Sequence, residues 1–166
     1  WSKKWLITFS PSKTRSLTIS NKKDRHANPQ IDFANVPITE VNYHCYLGLI
    51  ISFDLKWNFH LNNVCQKANS RLNMMRPLKF KLDRYSLQTM YMSFVRPIMD
   101  YGIIIWGGTY DSNLVKLEQI QIDALRIITG ATVRSNISQL YHEVPIPFIS
   151  TRRDNQMAVM MYKIYN

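Results

Sequence analysis

The sequence is poor in the residues from which most catalytic and metal sites are built. It has two cysteines, Cys45 and Cys65, without a CxxC pair, and four histidines without a ligand spacing. None of its five glycines forms a phosphate-binding loop, and its eleven carboxylates contain no DD, DxD or ExxE pair. A structural zinc site, a disulfide framework and a two-metal carboxylate site are therefore not expected. The sequence predicts no catalytic residue, no metal ligand and no cofactor in this chain.

Long apolar runs are also missing. The most apolar run, YGIIIW at residues 101–106, stops at Gly107 and Gly108, well short of the roughly 18 residues that a membrane span needs. We expect a soluble, intracellular chain with no membrane association, in either the nucleus or the cytoplasm.

Positive charge and apolar residues are abundant. The chain has 166 residues, 46% of them apolar and 12% aromatic, which is enough for the core of one domain. Its 21 Lys and Arg against 11 Asp and Glu give a net charge of +10. Such a charge favours polyanions, so nucleic acid is the leading partner class and an anionic membrane surface the second. The first residue is Trp, not Met, and we expect a piece of a longer protein.

The first fifty residues have the alternation of short strands. Turn residues at 21–29 predict an exposed connection, and Gly48 lies in an apolar stretch. We expect a small antiparallel sheet from three strands, within residues 15–20, 30–38 and 44–52.

From Asp54, which we expect to cap a helix, the apolar period becomes helical. The spacing predicts a first helix that buries one stripe of apolar side chains and carries a basic face on its other side. The basic face continues beyond the end of the helix. The stripe is Leu61, Val64, Cys65, Ala68, Leu72 and Met75, and the basic face is Lys67, Arg71, Arg76, Lys79 and Lys81.

Four further helical regions follow, the last two within residues 135–143 and 150–166. A helix from Asp83 should be kinked at Pro97 and bury one stripe, and residues 114–130 form a helix that is apolar on nearly two faces, sits between neighbours and ends at Gly130. The stripe of the Asp83 helix is predicted as Leu87, Met90, Phe94, Ile98 and Tyr101. The predicted fold is α+β and mostly α, with residues 1–53 forming the strand segment and 54–166 the helical region.

Four blocks of the sequence resemble a known family. In order, they look like the C-terminal part of reverse transcriptases from non-LTR retrotransposons of the jockey-like kind. The blocks are WSKKWLITFSPSKT (1–14), YLGLIISFDLKWNFH (46–60), VRPIMDYGIIIWGG (95–108) and LEQIQIDALRIITGA (117–131). The order of the blocks, over nearly the whole chain, makes the resemblance more specific than any single motif.

The resemblance implies a role beside an active site. In this family the aspartates that bind catalytic Mg²⁺ lie in a [FY]xDD turn upstream of the first block, so the chain alone is expected to be inactive and to work with an upstream polymerase segment. Lys13 would lie near the phosphates of the incoming nucleotide. Tyr46, Leu47 and Gly48 would form a primer-grip hairpin under the 3′ end of the growing strand.

The later helices are implied to be the thumb, which grips the template–primer duplex. Lys56 and His60 would line one wall of the groove for this duplex. The basic face of the first helix, with Lys67, Arg71, Arg76, Lys79 and Lys81, would contact its phosphates.

Other interpretations stay open. Gly48 is also compatible with a β-bulge, Lys13 with an ordinary turn, and Lys67 and Arg71 with a solvated helix face. Trp5 and Trp57 are interpreted as core residues. The alternative function is a non-catalytic basic helical module, a relic of such an element, whose Met-rich surface binds a protein or an anionic surface.

Overall fold

The computed structural model of the chain describes residues 2, 4–20 and 29–166. The predicted turn at 21–29 lies, except for Pro29, outside the described residues, as do two residues of the first block. The chain divides into two compact units, Trp1–Trp57 and Asn58–Asn166. Their assignment to a palm and a thumb stays a prediction.

The described part of the first unit contains three separate strand pairs where the sequence predicts one antiparallel sheet. Two-residue strands cannot extend a ladder, and Pro37 has no N–H to donate to one. The pairs are β1 (Arg15–Ser16) with β4 (Thr39–Glu40) in parallel, β2 (Asp32–Phe33) with β3 (Val36–Pro37) antiparallel, and β5 (Tyr43–Tyr46) with β6 (Leu49–Ser52) antiparallel. The predicted class, mostly α with small antiparallel elements, is confirmed.

Strands β5 and β6 form a hairpin, whereas the sequence predicts one strand from 44 to 52. Tyr46 pairs with Leu49, so Leu47 and Gly48 make a two-residue turn. Their φ angles of 47° and 80° are the positive pair of a type I′ turn. Glycine adopts this conformation freely, but leucine does not. Gly48 is therefore a turn residue, and its interpretation as a bulge is wrong.

The segment between β6 and the first helix is not helical. Asp54 accepts a hydrogen bond from the backbone N–H of Lys56 at 3.2 Å, which closes a local turn. Leu55 and Trp57 have φ angles of 52° and 60°, outside the helical region. The helix begins at Asn58, so the prediction that Asp54 caps it is wrong.

The second unit is helical. Asp83, near which the second helix is predicted to begin, caps it by accepting from two backbone N–H groups, and Gly130, with φ 76°, ends the fifth helix as predicted. The helices are α1 (Asn58–Met75), α2 (Arg84–Met90), α3 (Arg96–Asp100), α4 (Ile103–Trp106), α5 (Asp111–Thr129), α6 (Ile137–Glu143) and α7 (Ile149–Tyr165). A 3₁₀ turn, Arg76–Phe80, follows α1, and a π-type turn, Tyr91–Val95, joins α2 to α3.

The π-type turn changes which residues between α2 and α3 are buried. The backbone N–H of Arg96 bonds the carbonyl of Tyr91, five residues back, which widens the turn and keeps residues four apart on one side. Of the predicted stripe only Leu87 is fully buried, and Phe94 and Tyr101 are exposed. The stripe in the structure is Leu87, Tyr91, Val95 and Met99.

Helix α5 lies between several neighbours, as its two apolar faces predict. It packs against α1, α2, α6 and α7. Eight of its apolar side chains are buried: Leu114, Leu117, Ile120, Ile122, Ala124, Leu125, Ile127 and Ile128. Neighbours on several sides leave only a narrow exposed side on this helix, which includes Lys116 and Gln119.

Gln121 is fully buried in α5 and is surrounded by polar partners. Its Oε1 accepts from the Tyr91 hydroxyl at 2.9 Å, and its Nε2 lies 3.0 Å from both the Tyr141 hydroxyl and the Pro147 carbonyl. Glu118, one turn earlier, accepts from the Tyr141 hydroxyl. These bonds connect α5 with three other parts of the unit.

Replacing Gln121 with Leu should strongly destabilise the chain. The change leaves the buried Tyr91 hydroxyl without its acceptor and removes the bond to the Pro147 carbonyl, and we expect the free energy of unfolding to fall by about 2 kcal/mol or more. Urea denaturation measures it. The control is Gln119→Leu on the exposed side of α5, which should change stability by less than about 0.5 kcal/mol. Equal effects of the two changes would contradict the role of Gln121.

Candidate nucleic-acid interface

Two exposed cations lie one turn apart on α1. Lys67 and Arg71 are both exposed, whereas Leu61, Val64 and Leu72 of the same helix are buried in the core. The guanidinium carbon of Arg71 lies 5.2 Å from the centroid of the Phe94 ring, an arrangement that orients the charge by a cation–π contact. We call Lys67 and Arg71 the cation pair.

More cations follow in the 3₁₀ turn after α1, which we call the basic turn (Arg76–Phe80). Arg76 is exposed and donates from Nε to Asn73 Oδ1 at 3.0 Å. Lys79 Nζ lies 5.2 Å from the centroid of the Phe80 ring, and Lys81 is exposed just after the turn. Pro77 fixes the backbone at the start of this turn. The charges are thus carried by a short, constrained segment.

A groove of about 470 Å³ runs between the basic turn, the C-terminal half of α5 and the loop after it. Arg126 of α5, which the sequence analysis missed, lines it beside Arg76 and Lys79. Arg126 donates to Asp123 Oδ1 at 2.9 Å and to the Val133 carbonyl at 3.0 Å. A cation in the last turn of the helix, three residues after Asp123 and flanked by apolar residues, was the signal that could have found it.

His60 does not belong to an exposed face. Its side chain is only 2% exposed, and its ring centroid lies 6.4 Å from that of Trp106. Burial, and after it the charge of Lys67, lowers the pKa of His60. A buried imidazole cannot reach a phosphate outside the chain, so the structure contradicts the predicted contact of His60 with nucleic acid.

The remaining predicted residues lie in the first unit. Lys13 ends a short 3₁₀ turn and is exposed, and Lys56 is exposed in the segment that follows β6. Tyr46, Leu47 and Gly48 are adjacent and form what we call the hairpin tip, where Tyr46 is 60% and Leu47 71% exposed.

The two tryptophans interpreted as core residues differ. Trp5 is 61% exposed, so for this residue the interpretation is wrong. Trp57 is half-buried. In the described ranges, no group of three or more His, Cys, Asp or Glu side chains is placed to hold a metal ion. No helix within those ranges has the length and apolarity to cross a membrane.

Over most of its length the chain is similar to polymerases of mobile elements. It is 29% identical over 135 residues to the probable RNA-directed DNA polymerase from transposon BS of Drosophila melanogaster, and 26% identical over 133 residues to that from transposon X-element of the same species. Both alignments cover 78% of the chain. The RNA-directed DNA polymerase from the mobile element jockey of D. melanogaster is 22% identical over 158 residues, 93% of the chain.

These relatives are much longer than the chain, which spans 15%, 14% and 17% of the BS, X-element and jockey proteins, respectively. No family model matches the chain, and no solved structure does. The resemblance to reverse transcriptases of non-LTR retrotransposons is confirmed by these relatives.

The burial of His60 predicts a pH-dependent stability. Because its pKa is lowered in the folded chain, the unfolded chain binds more protons as pH falls below about 6.5, and the free energy of unfolding should decrease there. Urea denaturation at pH 7.5 and 5.5 measures this decrease. His60→Gln should reduce the difference between the two pH values, whereas His142→Gln at an exposed position should leave it unchanged. The same pH dependence in His60→Gln would contradict this origin.

Proposed function

We propose that this chain is the part of a reverse transcriptase that grips the template–primer duplex. The observation that carries the proposal is the cation pair on the exposed side of α1, followed by the basic turn, in a chain similar to RNA-directed DNA polymerases. Another part of the polymerase supplies the catalytic aspartates and their Mg²⁺. The chain alone then binds nucleic acid without extending a primer.

The charge distribution along the second unit supports a phosphate-binding face. Residues 67–82 contain five cations and no carboxylate. These are Lys67, Arg71, Arg76, Lys79 and Lys81, all exposed except the half-buried Lys79. A run of one sign attracts the duplex backbone without selecting a sequence.

The hairpin tip supports a second contact, with the primer. Leu47 has a positive φ, which is unfavourable for leucine, and its apolar side chain is exposed. Backbone strain of this kind costs on the order of 1–3 kcal/mol and is concentrated at functional sites. Under the proposal, Tyr46 and Leu47 contact the primer end, Gly48 permits the turn, Lys56 adds a phosphate contact and Lys13 lies near the incoming nucleotide.

A second candidate function is binding to another protein through α7. This helix exposes several apolar side chains: Val159, Met160, Met161, Tyr162, Ile164 and Tyr165. Flexible thioethers and tyrosines suit adaptable protein contacts. The two functions differ in their dependence on salt, since only the duplex grip relies mainly on phosphate charge.

Duplex binding by the purified chain should be weak and strongly dependent on salt. About four phosphate contacts give a slope of log affinity against log salt of roughly −3 to −4. Lys67→Ala together with Arg71→Ala should make the slope less steep by about two units, because two contacts are lost. Fluorescence anisotropy with a labelled duplex, over a series of salt concentrations, measures both slopes.

The matched control removes two exposed cations outside the proposed site, Lys4→Ala with Lys163→Ala. It changes the net charge by the same amount and should leave the slope nearly unchanged. Thermal melting of both double variants checks that the loss of the Arg71 contact with Phe94 has not unfolded the chain. A wild-type affinity that does not change with salt would overturn the duplex grip.

Leu47→Asn should separate folding from primer use at the hairpin tip. Asn-Gly is the favoured pair for a type I′ turn, so the melting temperature should not fall. In a longer polymerase that contains this segment, single-turnover primer extension should slow by about tenfold or more, since small misplacements at a reacting end are costly. Leu47→Met, which keeps a long apolar side chain, is the control and should retain most of the rate. Extension at the wild-type rate by Leu47→Asn would exclude the primer contact.

A further inference from the structure

The ring of Phe80 is exposed at the groove beside the basic turn. Its side chain is 84% exposed, although phenylalanine is usually buried. It lines the groove of about 470 Å³ together with Ile127 and Val133, which give the groove apolar walls. A volume of this size is in the range of sites for small organic ligands.

The groove has an excess of positive charge. Arg76, Lys79 and Arg126 line it, and Asp123 is the one carboxylate among its described lining residues. Arg126 Nη1 lies 2.9 Å from Asp123 Oδ1, so these two charges offset each other. Arg76 and Lys79 remain on the side of the groove that carries Phe80.

We propose that this groove binds an unpaired nucleotide of a single-stranded nucleic acid. The base stacks on the Phe80 ring, and the adjoining phosphates contact Lys79 and Arg76. Lys79 Nζ, 5.2 Å from the centroid of the ring, lies within reach of a phosphate next to a stacked base. A base stacked on an aromatic ring and a backbone held by cations are the two parts of sequence-tolerant single-strand binding.

The exposed ring of Phe80 favours an unpaired nucleotide, over a duplex or a simple anion, as the ligand of the groove. In a duplex, each base face is covered by its neighbours, so a protein ring can stack only on an unpaired base. An inorganic anion would use the cations but not the exposed ring or the apolar walls. The chemistry of the groove therefore favours a ligand with both a flat aromatic face and a phosphate.

The inference rests on the proposed function because it takes nucleic acid as the ligand. It adds a site for single-stranded nucleic acid to the proposed site for the duplex. Template or primer residues that are not base-paired would occupy the groove, while the cation pair on α1 holds the duplex. Arg76 and Lys79 are shared by the two sites, whereas Phe80 belongs only to the groove and the cation pair only to the duplex grip, so changes at Phe80 and at the cation pair test each site separately.

The experiment compares one single-stranded oligonucleotide with a blunt-ended duplex of the same sequence, by fluorescence anisotropy on the full chain. Phe80→Ala should weaken binding of the single strand about tenfold, the usual effect of losing one stacking ring, and leave duplex binding unchanged. Phe80→Tyr should retain the single-strand affinity. Tyr85→Ala, which removes a ring that is also 77% exposed, is the matched control and should have little effect.

The possible results separate the two proposals. If Phe80→Ala binds the single strand like the wild type while Lys67→Ala with Arg71→Ala weakens the duplex, the groove assignment fails and the duplex grip stands. If instead Phe80→Ala weakens binding of the single strand while Lys67→Ala with Arg71→Ala leaves duplex binding unchanged, the groove is supported and the duplex grip is overturned. A loss with Lys79→Ala but not with Phe80→Ala means phosphate attraction alone and overturns the stacking site. A wild-type chain that binds neither ligand overturns both.

Discussion

A helix buried on most of its circumference must find partners for every polar side chain it carries, and α5 is this helix in the second unit. Gln121 is fully buried among apolar residues and Glu118, one turn earlier, is half-buried. The Tyr91 and Tyr141 hydroxyls and the Pro147 carbonyl satisfy them. Buried hydrogen-bonding groups tolerate few alternative arrangements, so these bonds fix how the neighbouring segments pack. The exposed cations of α1 are held in place by that packing.

Much of the helical unit could be predicted because helix signals are local. A helix start such as Asp83 and a stop such as Gly130 are set within a few residues, and both helix ends lie in the structure where the sequence predicts them. The exposure of Lys67 and Arg71 also follows from their spacing. These parts of the candidate interface were therefore visible in the sequence.

Other parts depend on distant neighbours or on backbone conformation. His60 shares the first turn of α1 with exposed residues, and only the proximity of Trp106 in the fold shows that it is buried. The strand pattern alone missed the hairpin turn at Leu47, which only the resemblance implied, because leucine is a poor residue for a positive φ. Arg126 becomes part of a groove only when the loop after α5 folds back to it. Tertiary contacts, not propensities, decide these positions.

The π-type turn between α2 and α3 has a consequence for how the helices lie against each other. A buried stripe with a repeat of four residues, such as Leu87, Tyr91, Val95 and Met99, would wind around a regular helix of 3.6 residues per turn. Regular helices that follow a mismatched repeat must coil around their partners to stay in contact. Here a single widened turn absorbs the mismatch. The stripe therefore stays on one side of the α2–α3 segment, where α1 and α5 contact it.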